Sequence, residues 1–135
     1  MNRQDCLQAY QEFTGKASEN TRQLSFAALA VIWIFKPESA AGHYLFPGLL
    51  LWAGVFAVAA LSFDFLQYGY GAAAWGCFHR TKERSGVSRQ DEFRAPDWMN
   101  WPTNAFFIVK VISVIVSYVL LLVYLFKVVG RQAAA

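Results

Sequence analysis

YLFPGLLLWAGVFAVAALSFDFLQYGYGAAAWGCF, residues 44–78, is an apolar run with a lone carboxylate, Asp64, inside it. At helical spacing Ala53, Ala57, Ala60, Asp64, Gln67, Gly71 and Ala74 recur at alternating steps of four and three. The small and polar residues therefore share one seam, while Leu, Phe, Val and Trp cover the rest of the circumference. A helix that is apolar outward and small or polar inward reverses the soluble pattern and suits packing within lipid. The stretch reads as a membrane span, and the Ala53/Ala57/Ala60 row as a close helix–helix contact.

Outward from that span, composition points the same way. Apolar residues make up 56% of the 135-residue chain and are bunched into three blocks, where a soluble domain would spread them among charges. The length allows one unit, so 1–135 reads as a single membrane domain. The net charge of +3 includes no nucleic-acid-binding tract, and nucleic acid is not expected as a partner. Cys6 and Cys77 form neither a disulfide framework nor a metal site, since Cys77 beside His79 falls short of a zinc ligand set. No metal and no cofactor are expected. His43 and His79 fall near opposite faces of the membrane, and HExxH, CxxC and a phosphate-cradling glycine loop are absent, so no catalytic residues are assigned and no enzyme activity is expected. Asp5 and Glu12, with no apolar core before residue 24, do not read as a cleavable signal.

Taken in order, residues 5–22 predict an amphipathic helix with Cys6, Tyr10, Phe13 and Ala17 on its apolar face. A first span follows over about 23–36. Its apolar core, 24–35, rises only about 18 Å, so it is either re-entrant or carries polar residues into the membrane shielded by its neighbours. The second reading is preferred. Pro37 ends this helix. The second span covers 44–78 and exceeds what a bilayer needs. The segment 79–101 reads as a basic solvated loop, closed by Trp98 and Trp101 as an interfacial belt. A third span occupies about 103–129. The fold class is all-α: an integral, multi-pass three-helix membrane protein with an N-terminal amphipathic helix.

Arg3, Lys16, Arg22, Arg80, Lys82, Arg84, Arg89 and Arg94 would share one side, against Lys36, Lys127 and Arg131 on the other. The positive-inside rule places the N-terminus and the 79–101 loop in the cytoplasm, in a cell (inner) membrane. In that topology Arg22, Asp64 and Lys110 approach one level, with Gln67, Ser113, Gln23 and Asn104 available as hydrogen-bonding neighbours. Charge at membrane depth tends to pair or to face water. The layer is thus either an ion-pair cluster that fixes packing or a polar constriction on an ion path, with a proton-relay carboxylate as a narrower version.

Lys110, Ser113, Ser117, Tyr124 and Lys127 form a second seam. Ser117, Tyr124 and Lys127 on it would line a pore between protomers if it does not pack within one. The reading that follows is a homo-oligomeric channel or membrane-permeabilising assembly, with the lipid bilayer and further copies of itself as partners. The alternative is a non-catalytic membrane anchor or accessory subunit that holds a cytoplasmic protein through 79–101.

Overall fold

The computed structural model describes residues 3–37, 47–86 and 96–135. Within them the regular structure is helical: α1 (Arg3–Ile34), α2 (Gly48–Arg84), a 3-10 turn (Asp97–Asn100) and α3 (Trp101–Ala133). Tyr44, His43, Arg89, Arg94 and the side chain of Cys6 lie outside the described residues.

The amphipathic segment and the first apolar run are one helix. Gly15 interrupts nothing, because a lone glycine costs only about 1 kcal/mol relative to alanine in a helix interior. The turns around it are tied by Lys16 Nζ to Glu12 Oε1 at 2.7 Å and by the Thr14 hydroxyl to the Tyr10 carbonyl at 2.8 Å. The Phe35 N–H closes the last turn on Val31, and Pro37 forbids another.

Helix α2 starts at Pro47, whose φ of −57° and missing N–H suit a helix entry, and it runs through Gly69–Gly71 without a break. It also runs on past Phe78 to Arg84, so 79–84 is helix where a solvated loop was expected. Polar composition misleads there: His79 to Arg84 contains no breaker, and Lys82 and Arg84 sit favourably at the negative end of the helix dipole. Gly86, at φ +73°, supplies the left-handed residue that stops it. At the start of α3, Pro102 sits in the first turn. The preceding 3-10 turn buries Met99, while Trp98 and Trp101 stay exposed.

Cross-helix contacts fix the topology. Arg22 meets Asp64 and Ile32 approaches Gly54, so α1 and α2 are antiparallel. Asp64 meets Lys110 and Ser117 bonds Ala53, so α2 and α3 are antiparallel as well. The bundle is up–down–up, with the N-terminus of α1 and the start of α3 at one end. Each helix contributes one buried seam: Ser18, Thr21, Ser25, Ala28 and Ile32 from α1; Leu50, Ala53, Ala57, Ala60 and Asp64 from α2; Lys110, Val114, Ser117 and Leu121 from α3. Steps of three and four keep these seams facing one another along the bundle.

The interior is small and partly polar, and the exterior is large and apolar. Phe26, Trp33, Trp52, Phe65, Ile112 and Phe126 are all more than half exposed. Two helices, α2 and the Asp97–Ala133 segment, are long and apolar enough to cross a membrane. On α1 the apolar face of the amphipathic segment points outward from the bundle. Phe13 is 72% exposed and Tyr10 57%, while the inward face is Thr14, Ser18, Thr21 and Ser25. Small residues let backbones approach closely, and the Thr21 and Ser25 hydroxyls satisfy themselves on the carbonyls four residues back.

Candidate functional site: a charge cluster joining three helices

Asp64 lies on the α2 seam one turn beyond Ala60, so the close contact that buries the alanines also carries its carboxylate inward. Each of its oxygens takes a different cation. Arg22 Nε from α1 lies 2.8 Å from Oδ2, and Lys110 Nζ from α3 lies 2.6 Å from Oδ1. Ser18, one turn from Arg22, accepts from Lys110 and donates to Asp64 Oδ1 at 3.3 Å. The Tyr68 hydroxyl stands 3.4 Å from the same serine oxygen. Aromatic rings complete the enclosure: Lys110 Nζ is 5.8 Å from the Tyr68 centroid and 5.5 Å from that of Phe107.

The two cations differ in setting. Lys110 is wholly buried, whereas the Arg22 side chain is 44% exposed. Lys110 therefore depends on Asp64 for its charge compensation, while the distal end of Arg22 opens to the bundle surface, with its guanidinium 5.5 Å from the Tyr68 ring centroid. One carboxylate against two cations leaves the cluster with a formal charge of +1.

The other residues assigned from sequence fall into three settings. Gln67 lines a 240 Å³ cleft with Tyr10, Thr14 and Asn104, and its Oε1 is buried without a hydrogen-bond partner among the described residues. Gln23 and Asn104 are exposed. Ser113 is buried, but its hydroxyl bonds the Val109 carbonyl of its own helix and adds nothing to the cluster. Ser117 packs within the protomer. It is wholly buried and donates to the Ala53 carbonyl at 2.8 Å, because the alanine seam brings the α2 backbone within reach. Tyr124 packs against the core of Ala28, Ile32 and Leu50, and Lys127 is exposed. Ala53, Ala57 and Ala60 are buried in the α2 seam.

Ser18 and Tyr68 were not assigned from sequence. The signal for Ser18 was present in the three–four spacing of Ser18, Thr21, Ser25 and Ala28, which continues into the first apolar run. Tyr118, whose hydroxyl reaches the Leu24 carbonyl at 3.0 Å, ties α3 to α1 from outside the seam.

Compared with known proteins, the chain matches no family model, no curated sequence and no solved structure.

Proposed function

We propose that the chain is a non-catalytic, multi-pass membrane anchor or accessory subunit whose cytoplasmic end holds a partner protein. One observation carries this reading: Lys110 and Ser117 of the α3 seam turn inward and are paired there, while the outward face of α3 between Ile108 and Phe126 is apolar. Lys110 and Ser117 are closed within the protomer, and the α3 exterior presents Ile108, Ile112, Ile115, Val119, Leu122 and Phe126. Helices assembled through such faces leave no polar row for water or ions to follow, so the geometry favours an anchor over a channel.

The ends of the helices support the other half of the proposal. At 37 residues α2 is about 55 Å long, well beyond a hydrocarbon core of about 30 Å. Its last turns carry His79, Arg80, Glu83 and Arg84, all exposed. Toward the same end of the bundle, the first half of α1 exposes Glu12, Lys16 and Glu19. The positive-inside rule puts this end in the cytoplasm, where it forms a charged platform above the membrane.

Two measurements test the reading together. The chain should remain in the pellet when membranes are washed at alkaline pH. A partner captured with the wild type should be lost when Arg80 and Arg84 are changed to Glu, with the membrane level of the chain unchanged. Ion flux through liposomes holding only this protein, abolished by Asp64→Asn, would return the channel reading to first place.

A further inference from the structure

Arg22 lies on the same side of α1 as an apolar groove between α1 and α2, two turns from the groove's nearest wall residue on that helix, Leu29. Arg22 and Leu29 are seven residues apart on α1, as are Val58 and Phe65 on α2, so the groove below continues the same side of the α1/α2 pair. Leu29 and Ile32 form one wall, and Leu51, Gly54, Val55 and Val58 the other, around about 430 Å³ of space with almost no polar lining. Gly54 makes the groove: a Cβ there would meet only Ile32 Cδ1, at 3.6 Å, and the missing side chain leaves the room in front of it. About 10 Å separates Leu29 from Arg22 along the helix axis.

Arg22 spends only Nε on Asp64. Among the described residues its other polar neighbour is Tyr68, a neutral side chain, and no acidic group besides Asp64 pairs with it. Lys110 takes the other oxygen of the same carboxylate, so the surplus positive charge is expressed where the cluster is open, at Arg22. Uncompensated charge at the edge of a low-dielectric region is costly, and an oxyanion that accepts from the guanidinium removes that cost.

We propose that the α1/α2 groove binds one anionic phospholipid, with its phosphate on Arg22 and Tyr68 and an acyl chain along Leu29 and Gly54. The proposal rests on the membrane reading given above. A cation and, two turns from it on the same side, an apolar groove match the two chemistries of that ligand in the order a bilayer presents them. The hydroxyl of Tyr68, a half-exposed residue beneath the guanidinium, supplies a neutral donor at the same level.

Native mass spectrometry of the full chain in detergent tests this, with phosphatidylglycerol and phosphatidylcholine of the same acyl chains as probes. The wild type should retain a single phosphatidylglycerol over phosphatidylcholine by about tenfold, because both offer a phosphate but the choline cation of the second is repelled by the surplus positive charge of the cluster. Arg22→Gln should remove that preference, while Gly54→Leu, which fills the groove and leaves the cluster intact, should lower retention of both lipids. Equal retention of the two lipids by the wild type, or an unchanged preference in Arg22→Gln, overturns the site. If Arg22→Gln fails to fold, Gly54→Leu decides: retention equal to wild type overturns the site on its own. Loss of the site leaves the membrane reading standing as long as the chain stays in the alkaline-washed pellet.

Discussion

Lys110, with no exposed surface, meets Asp64 Oδ1 at 2.6 Å from a position 46 residues away in the chain. The pair joins α2 and α3 at the level where α1 adds Ser18 and Arg22. A buried ammonium whose compensation comes from one carboxylate makes that carboxylate more consequential than either cation.

Asp64→Asn is therefore expected to be the most damaging single change in the cluster. It leaves Lys110 buried without a counter-charge, a situation that costs about 3–5 kcal/mol. Arg22→Gln should cost no more than about 1 kcal/mol, because the arginine is half exposed and Lys110 still neutralises Asp64. Thermal unfolding in detergent, followed by helical circular dichroism, should show a large fall for the first and a small one for the second. Adding Lys110→Met to Asp64→Asn should recover part of the loss, since the double variant buries no charge. Equal destabilisation by Asp64→Asn and Arg22→Gln would mean that the cluster is wetter than its burial implies.

The second expectation concerns register. Ser117 and Ala53 are in hydrogen-bond contact across α2 and α3, so cysteines placed at both positions in a Cys6→Ser/Cys77→Ser background should cross-link under mild oxidation. Positions four residues off on one helix should not. Ser117→Leu should destabilise by about 1–3 kcal/mol through overpacking, whereas Ser117→Ala should cost only about 1 kcal/mol for the lost bond. A cross-link that forms equally well at the shifted positions would contradict the antiparallel register.

Particular residues show what the sequence could and could not say about this bundle. Asp64 and Lys110 interrupt apolar runs, and depth arithmetic alone brings them level with Arg22, where the three side chains do meet. The alanine seam is legible for the same reason, since Ala53, Ala57, Ala60 and Asp64 recur at alternating steps of four and three. The first half of α1 is different. There Tyr10 and Phe13 read as an apolar face, but the spacing does not say whether that face meets lipid or protein; the bundle buries Thr21 and Ser25, whose hydroxyls bond their own helix. Ser117 is legible only as one of two alternatives, packed within the protomer or lining a pore between protomers. A serine on a span is legible as polar, but its partner, the Ala53 carbonyl, becomes accessible only once the helices have approached. The end of α2 was hidden because charged residues suit a helix and a loop equally, and only the φ of Gly86 separates the two.

The up–down–up order also makes a prediction about sidedness. The first turns of α1 and the residues just after α2 lie at one end of the bundle, and the last turns of α3 at the other. Single cysteines at Glu12, Ser85 and Gln132, all exposed, in a background lacking Cys6 and Cys77, sample the two ends. In sealed cells an impermeant maleimide should label position 132 and spare 12 and 85, and in inverted vesicles the pattern should reverse. Both helix ends on α1 and α2 must change together, because Arg22–Asp64 and Ile32–Gly54 fix the two helices antiparallel. Labelling of 12 and 132 from the same side would show that α1 does not complete a crossing. The short apolar run over 24–35 would then be re-entrant, and Asp64 would sit at the far side of the bilayer from where the positive-inside rule places it.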